Sequence, residues 1–203
     1  MTKNKLTKIV STAIPLDMEN VDTDQIIPAR FLKATTREGF GLNVFRDWRY
    51  DFEGNPKPHF ILNHPHYKGE ILIAGHNFGC GSSREHAAWA LSDYGFKVVV
   101  SSFFADIFKN NALNNTLLPV QVSEPFLHKL FAETNKDHKT IIEIDVEKQT
   151  ISIPAKKLEE HFDINPYKKI CVMNGYDDVD YLVSMQNKTE EFEKNRKDDY
   201  PLA

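Results

Sequence analysis

The sequence predicts an α/β protein with a mostly parallel central sheet, flanking helices and a hairpin at the rim. Three short apolar runs are typical of buried strands, and they lie at 70–74, 96–101 and 117–122. A helical pattern follows each of these runs, at 82–94, 103–115 and 124–134. Strands that alternate with helices indicate crossover connections, which join parallel strands.

Length and composition are those of an ordinary globular chain. The 203 residues are 41% hydrophobic and 27% charged, so we expect a buried core and not wholesale disorder. A net charge of -4 does not suit a nucleic-acid binder, whose affinity comes from neutralising phosphates. No apolar run approaches the roughly 20 residues that cross a bilayer, and the start lacks the apolar core of a signal peptide. We therefore expect a cytoplasmic protein with neither a membrane nor a nucleic-acid partner.

The N-terminal part predicts one strand followed by irregular chain. Residues 6–14 form a short strand-like run, and Asn20–Pro28 has the Asx-type turn residues of a loop. Residues 29–58 mix aromatic side chains with glycines and prolines, which predicts a long excursion with little helix. Long structured loops in compact domains are often functional.

The pattern changes after the alternating segments. Thr140–Val146 and Gln149–Ile153 alternate apolar and polar residues, which predicts the hairpin at the rim. The C-terminal part looks helical and grows increasingly charged, and residues 186–203 are expected to form a charged, solvated tail. Because no repeat or low-complexity linker is present, residues 1–203 are predicted to be a single domain.

The turn GCGSSREH, at 79–86, carries the clearest chemistry. Ser82 and Glu85 have the spacing of a capping box at a helix start, while Gly79 and Gly81 let a ligand approach the backbone closely. The free N–H groups of a first helical turn attract anions, and Arg84 adds a planar fork suited to a carboxylate. The pattern predicts a carboxylate or phosphate site with a serine close enough to react. The alternative is that Ser82 only caps the helix.

Familiar phosphate and hydrolase motifs do not match this turn. The dinucleotide fingerprint G-x-G-x-x-G needs glycine where Arg84 stands, and a P-loop needs glycine at Cys80 followed by Lys-Ser/Thr. A nucleophile elbow G-x-S-x-G needs glycine at Glu85. The turn is therefore neither a typical nucleotide site nor a typical hydrolase site.

Five blocks of sequence together carry a family resemblance. In chain order they are NVDTDQIIPARFL (20–32), FGLNVFRDWRY (40–50), GHNFGCGSSREHAAWAL (75–91), GFKVVVSSFFADIFKNNALNNTLLPV (95–120) and CVMNGYDD (171–178). They resemble the small-subunit family of the 3-isopropylmalate dehydratases, within the aconitase superfamily. The resemblance spans nearly the whole chain and implies the swivelling β/β/α domain of that superfamily.

The resemblance implies a hydro-lyase subunit of leucine biosynthesis. Such an enzyme isomerises 2-isopropylmalate and 3-isopropylmalate through 2-isopropylmaleate, by dehydration and rehydration. Ser82, as an alkoxide, would take the proton from carbon, and Arg84 would bind a carboxylate of this small dicarboxylate substrate. Gly81 and Ser83 would contribute to binding the same substrate.

The resemblance also implies a partner chain that holds the metal. A [4Fe–4S] cluster is expected on a large subunit, and this chain would be active only with it, in a heterodimer or a larger assembly. The cysteine count agrees, because Cys80 and Cys171 alone cannot supply the usual ligand set of a cluster. We therefore expect this chain to bind no cofactor and no metal itself.

Members of the superfamily use a loop to choose the substrate, and here that loop is about Arg30–Arg37. Phe31 and Leu32 could pack on the isopropyl group, while Arg37 or Lys33 could meet the distal carboxylate. The alternative is that Phe31 and Leu32 are core residues and that Arg37 is surface charge.

Several residues near the turn are expected to support the site. Asp22 and Asp24 are better explained as capping and bracing a turn than as a metal or acid–base pair. His86 could orient Arg84 or the substrate, or it could be a satisfied, half-buried histidine. Cys80 could have a reactive thiol at a helix N-terminus, although a packed cysteine is the simpler expectation.

Two other functions stay open from the sequence. The first is the small subunit of a related hydro-lyase, acting on methylmalate/citraconate or homoaconitate, and residues 30–37 should discriminate because they would shape the pocket. The second is a non-catalytic anion-binding module that keeps the scaffold without the chemistry.

Overall fold

Two four-stranded sheets form the framework of the chain in the computed structural model, which describes residues 5–33 and 36–196. The strands, in chain order, are β1 (Lys8–Ser11), β2 (Ala13–Leu16), β3 (Ile71–Ala74), β4 (Val98–Ser101), β5 (Leu118–Gln121), β6 (Ile142–Asp145), β7 (Thr150–Ile153) and β8 (Leu158–His161). The parallel sheet has the order β2-β3-β4-β5, and the antiparallel sheet has the order β1-β6-β7-β8. The predicted α/β class is confirmed.

Helices connect the strands and follow the last of them. In chain order they are α1 (Thr23–Ile26), α2 (Arg46–Arg49), α3 (Glu85–Tyr94), α4 (Asp106–Asn114), α5 (Glu124–Lys136), α6 (Pro166–Asn174), α7 (Asp178–Ser184) and α8 (Gln186–Asn195). Short 3-10 helices lie at Ala29–Phe31, Phe40–Asn43, Ile61–Asn63 and Pro154–Lys156. Because α3 joins β3 to β4 and α4 joins β4 to β5, both are crossover helices between parallel strands, as predicted.

The parallel sheet is buried on both faces, against different layers. Val98 of β4 belongs to a sheet-side cluster that includes Ile144 of the antiparallel sheet and Leu130 of α5. The next residue, Val99, belongs to a helix-side cluster that includes Leu91 of α3. Successive strand residues point to opposite faces, so one strand supplies both clusters. The resulting order of antiparallel sheet, parallel sheet and crossover helices α3 and α4 is the β/β/α layering that the resemblance implies, and α5 packs on the side of the antiparallel sheet.

The strand predicted at 6–14 is two strands in two different sheets. Thr12 alone separates β1, which pairs antiparallel with β6, from β2, which pairs parallel with β3. The Thr12 hydroxyl donates to the carbonyl oxygen of Lys68 at 2.5 Å and so ties this crossing point to the chain before β3. The apolar pattern does not reveal the break, because Ile9 and Ile14 are both buried.

The hairpin predicted at the rim lies at the centre of the antiparallel sheet. β6 and β7 pair with each other, and β1 and β8 extend the sheet on either side. The sequence does not predict β8, because its residues Leu-Glu-Glu-His carry too little apolar character.

Two further predictions, for the loop at 20–28 and for the C-terminal tail, are corrected by the structure. Asn20–Pro28 is not wholly a loop, because it contains the helical turn α1. Residues 186–195, expected as part of a solvated tail, form the exposed helix α8, and 197–203 lie outside the described residues. The single domain expected for 1–203 stays a prediction. Among the helices that the structure describes, none has the length and apolar character of a membrane span.

Candidate active site

The chain leaves β3 through a turn, residues 75–84, at the carboxyl edge of the parallel sheet. Ligands bind at this edge in open α/β sheets. Asn77, Gly79 and Gly81 have positive φ values of 59°, 77° and 85°, a region that glycine enters without steric cost. At Gly79 an added Cβ would lie 2.2 Å from Cγ of Phe108, so the turn packs directly on α4.

Backbone hydrogen bonds fix this turn to the loops on both sides. The Gly79 N–H donates to the carbonyl oxygen of Val21 at 2.8 Å, on the side of α1. The Phe78 N–H donates to the carbonyl oxygen of Phe103 at 3.0 Å, on the side of α4. The turn is therefore held by main-chain contacts that do not depend on its own side chains.

Ser82 is held through its backbone and left open at its side chain. The hydroxyl of the buried Thr23 donates to the carbonyl oxygen of Ser82 at 2.9 Å. The Thr23 N–H donates to the carbonyl oxygen of Cys80 at 3.0 Å. The side chains of Ser82 and Ser83 are both exposed. The backbone of Ser82 is thus fixed in position, and the residue is open to solvent.

The capping box predicted at Ser82 and Glu85 is wrong. α3 begins at Glu85, and its N-cap is Arg84, whose side chain makes no capping hydrogen bond. The positive φ of Gly81 and the contact of Thr23 with the Ser82 carbonyl keep the serines outside the helix. The Ser82 hydroxyl is consequently not used to cap α3.

The capping box of this region belongs to α1. Asp22 Oδ1 accepts a hydrogen bond from the Gln25 N–H at 2.8 Å, and Gln25 Oε1 accepts one from the Asp22 N–H at 2.9 Å. This reciprocal pair satisfies two N–H groups at the start of the helix. Asp22 is therefore a turn-bracing residue, and it fixes the segment from which Asp24 projects.

Arg84 forms an ion pair with Asp24. The side chain of Arg84 is 14% exposed, whereas that of Asp24 is 52% exposed. The buried Nη1 of Arg84 is the atom that makes this ion pair. Since a guanidinium carries five N–H donors, Arg84 retains donors for a ligand carboxylate.

Glu85 connects the first turn of α3 to two other segments. One carboxylate oxygen, Oε1, accepts a hydrogen bond from Asn115 Nδ2 at 3.0 Å and lies 3.7 Å from a guanidinium nitrogen of Arg37. The hydrogen bond from Asn115 holds the pKa of Glu85 below its ordinary value, and the charge of Arg37 acts in the same direction. The Arg37 guanidinium also lies 4.8 Å from the ring centroid of Trp89.

Phe31 and Leu32 lie at the other end of the predicted substrate loop. Both are half-buried and pack against the helix-side cluster. Phe31 also lines an open groove of about 940 Å³, whose walls come from residues 30–57 and not from the turn. Ala34 and Thr35, in the middle of the loop, lie outside the described residues.

His86 is half-buried in a group of aromatic rings. Its ring centroid lies 4.4 Å from that of Trp89 and 5.6 Å from that of Phe40. Phe40 begins the 3-10 helix that follows the loop. His86 therefore helps to hold that segment against α3.

Neither cysteine has the surroundings of a reactive thiol or of a metal ligand. Burial, with the negative charge of Asp22, raises the pKa of Cys80, whose thiol lies 3.4 Å from the carbonyl oxygen of Asn20. Cys171 is buried in α6. Over residues 5–33 and 36–196, no group of three or more His, Cys, Asp or Glu residues is arranged to hold a metal ion.

Thr23 and Asn115 belong to this arrangement, although the sequence does not identify them as site residues. Thr23 stands between two aspartates, and nothing in its surroundings signals a contact with the distant Ser82 carbonyl. Asn115 is the last of four asparagines between 110 and 115 and is the C-cap of α4. Nothing in the sequence indicates that its side chain donates a hydrogen bond to Glu85.

Comparison with known proteins first defines a class for this fold and turn. The family model of the aconitase C-terminal domain matches residues 3–125. The match covers the parallel sheet, both crossover helices and the entire turn. The chain is therefore an aconitase-type C-terminal domain.

Relatives of similar length narrow the class. The chain is 59% identical over 193 residues to the 3-isopropylmalate dehydratase small subunit of Cytophaga hutchinsonii, covering 95% of this chain and 96% of that protein. It is 60% identical to the 3-isopropylmalate dehydratase small subunit of Christiangramia forsetii, covering 95% and 94%. It also resembles a crystal structure of 3-isopropylmalate dehydratase from Methanocaldococcus jannaschii, with TM-score 0.64 and 28% identity over 91% of this chain and 98% of that chain. The chain belongs to the 3-isopropylmalate dehydratase small-subunit family.

Proposed function

We propose that this chain is the small subunit of a 3-isopropylmalate dehydratase in leucine biosynthesis. The enzyme would isomerise 2-isopropylmalate and 3-isopropylmalate through 2-isopropylmaleate. One observation carries the proposal: the exposed Ser82 hydroxyl lies outside the helix cap, two residues before the ion-paired Arg84. The names of the relatives support the choice of substrate.

Ser82 is the proposed base. Its alkoxide takes the proton from the substrate carbon and becomes a hydroxyl, while the carbon–oxygen bond breaks and the double bond forms. The hydroxyl that leaves becomes water by taking a second proton from an acid that the partner subunit would supply. A free serine hydroxyl is a weak base, so its anion must be stabilised. A helix N-terminus contributes only about 0.3–1 kcal/mol when exposed and about 2 when partly buried. Arg84 and positive groups of the partner must supply the remainder.

Arg84 is the proposed carboxylate ligand. Its guanidinium is largely buried and oriented by Asp24, which suits a paired contact with a carboxylate. The same donors stabilise the additional negative charge that this carboxylate gains when the carbon loses its proton. Gly81 and Ser83, exposed beside Ser82, complete the contacts to the dicarboxylate.

The loop Arg30–Arg37 is the proposed determinant of the substrate side group. Phe31 and Leu32 are only half-buried, so part of their apolar surface is free to meet an isopropyl group. Arg37 lies beside the first turn of α3, where a distal carboxylate would be within its reach.

A large subunit is the proposed partner, in a heterodimer or a larger assembly. A [4Fe–4S] cluster on that subunit would act as a Lewis acid on the leaving hydroxyl. The two cysteines do not form its ligand set, because Cys80 is held against Asn20 and Cys171 is buried in helix α6. The exposed edge that carries Ser82 is suited to closure by a second chain. A cytoplasmic location stays a prediction from the sequence.

Anaerobic reconstitution tests this proposal. The chain is mixed with large subunits of candidate hydro-lyases, and formation of the alkene is followed by its ultraviolet absorbance. We expect turnover of 2-isopropylmalate with a 3-isopropylmalate dehydratase large subunit and none with the chain alone. Turnover of methylmalate without turnover of isopropylmalate would favour the related hydro-lyase. Full turnover by the isolated chain would reject the two-subunit mechanism.

A further inference from the structure

The carboxylate of Glu85 lies where three segments of the chain meet. Glu85 directly follows Arg84 and begins α3. Asn115, at the end of α4, donates a hydrogen bond to it, and Arg37, at the end of the predicted substrate loop, forms an ion pair with it. The mechanism described above gives Glu85 no role.

Asn115 makes this carboxylate a fixed point. Its side chain is buried, with 4% of the residue exposed, and Nδ2 also donates to the carbonyl oxygen of Asn111 at 2.8 Å. The carbonyl oxygen of Asn115 accepts a hydrogen bond from the Ser92 hydroxyl, which joins α4 to α3 at this point. Because Asn115 favours the ionised form, Glu85 is an anion at neutral pH.

Arg37 is the first of several contacts that fasten the end of the loop along α3. Its guanidinium lies between Glu85 and the ring of Trp89. Further along, the Gly41 N–H donates to Asp93 Oδ2 at 2.7 Å, near the end of α3. The segment that leaves the loop therefore follows the same helix whose start carries Arg84.

We propose that Glu85 is a positioning residue for substrate selection, which acts by holding Arg37 at the start of α3. The proposal rests on the proposed function, because it assigns the loop Arg30–Arg37 to the substrate side group. Glu85 is not a base for the reaction, since Asn115 and Arg37 already engage its carboxylate. Its effect is to set where the loop ends relative to Ser82.

The expected effect is moderate. The side chains of Arg37 and Glu85 are 55% and 48% exposed, so water screens their ion pair. Loss of such a pair should change substrate discrimination by about two- to fivefold, and not by the orders of magnitude that mark a catalytic group.

Kinetics of the reconstituted complex test the selection step. We compare kcat/KM for 2-isopropylmalate and for methylmalate in Glu85→Gln, Arg37→Gln and the double variant. The ratio of the two values should fall in Glu85→Gln, mostly through a higher KM for isopropylmalate. It should fall further in Arg37→Gln, and the double variant should match Arg37→Gln because Glu85 acts through Arg37.

Glu38→Gln is the matched control. It removes the same charge one position from Arg37, and Glu38 is exposed and has no ion pair in the part of the chain that the structure describes. Its discrimination ratio should equal that of the unmodified chain. If the discrimination ratio fell as much in Glu38→Gln as in Glu85→Gln, the proposal would be overturned, because net charge and not the contact would then be responsible.

A measurement on the chain alone separates this contact from the proposed function. In a Trp48→Phe background Trp89 is the remaining tryptophan, and Arg37 covers its ring. Release of Arg37 should make Trp89 emission more sensitive to quenching by acrylamide in both Arg37→Gln and Glu85→Gln, while Glu38→Gln should leave it unchanged. Arg37→Gln is included because Glu85 also interacts directly with the Trp89 side chain. Unchanged quenching together with an unchanged discrimination ratio would overturn the proposal. Quenching could also increase in a chain that turns over no substrate with any large subunit. This result would reject both the proposed function and the selection role, and only the contact between Glu85 and Arg37 would stand.

Discussion

The guanidinium of Arg84 forms an ion pair with the carboxylate of Asp24, which adds a charged contact to the hydrogen bonds that join the turn after β3 to the helix after β2. The orientation of the proposed carboxylate ligand therefore depends on a segment far away in the sequence. Asp22 supports the same contact, because its capping box fixes the first turn of α1.

Asp24→Asn is expected to weaken substrate binding more than it weakens the fold. Without the opposing charge Arg84 loses its orientation, and KM for 2-isopropylmalate should rise by about three- to tenfold. Asp24 is half-exposed, so the midpoint of thermal unfolding should change little. Steady-state kinetics of the complex and thermal unfolding of the chain measure the two effects. Asp17→Asn, an exposed residue at the end of β2, is the control. An unaltered KM would show that Arg84 does not need this partner.

Ser82→Ala is expected to abolish turnover and to leave association intact. Loss of the base should lower kcat by at least about a hundredfold, the usual contribution of a positioned proton acceptor. Stability should hardly change, because the hydroxyl is exposed and caps no helix. The rate is measured in the reconstituted complex, and association by size-exclusion chromatography. Ser83→Ala, the exposed neighbour, should retain far more activity. Normal turnover by Ser82→Ala would leave the site without its base.

Gly79→Ala is expected to destabilise the chain strongly. The substitution forces a side chain into a positive φ and brings its Cβ to 2.2 Å from Phe108 Cγ. Overpacking of this kind costs about 1–3 kcal/mol in addition to the backbone strain. Gly39→Ala isolates the strain, because Gly39 has a φ of +74° and no atom within 4 Å of the added Cβ. Urea unfolding should show a clearly greater loss of unfolding free energy for Gly79→Ala than for Gly39→Ala. Equal losses would mean that Phe108 moves aside without cost.

The stabilisation that Glu85 provides should depend on pH in a defined direction. The pKa of Glu85 in the folded chain is lowered, chiefly by the hydrogen bond from Asn115. Its contribution is therefore complete above the ordinary glutamate pKa of about 4.3 and is lost as the pH falls through the lower folded value. Because the side chain is about half-exposed, the contribution should stay below about 1 kcal/mol.

Urea unfolding of the unmodified chain and of Glu85→Gln, at pH 7 and at pH 3.5, measures this dependence. The difference in unfolding free energy between the two chains should be larger at pH 7. Glu159→Gln, an exposed substitution on β8, is the matched control. A difference of the same size at both pH values would mean that the charge of Glu85 does not contribute.

The sequence predicts the parallel sheet and its helices well because each strand is a short apolar run. Ile71–Ala74 and Val98–Ser101 are buried along their whole length, so periodicity and burial agree there. It predicts the antiparallel sheet less well. β8 contributes Leu158 with three polar residues, and its place is set by pairing with β7, which a local pattern does not encode.

The site shows the same division between local and distant information. The glycines and Arg84 are visible in the sequence, because a turn and a charge are local properties. The start of α3 is not visible in the sequence, because the distant hydroxyl of Thr23 holds the Ser82 carbonyl. The helix therefore begins at Glu85 and not at the serines. The contacts of Asn115 and Arg37 with Glu85 likewise depend on how separate elements pack.

The fastening of the loop along α3 has a consequence for how such proteins diverge. The proposed base lies in a turn fixed by main-chain contacts, whereas the proposed determinant of the side group is the loop Arg30–Arg37, whose described residues take no part in sheet pairing. Exchange of that stretch between relatives could therefore retune which dicarboxylate is accepted while the reacting hydroxyl keeps its place. Chemistry and selectivity would then evolve as separable modules joined at one helix.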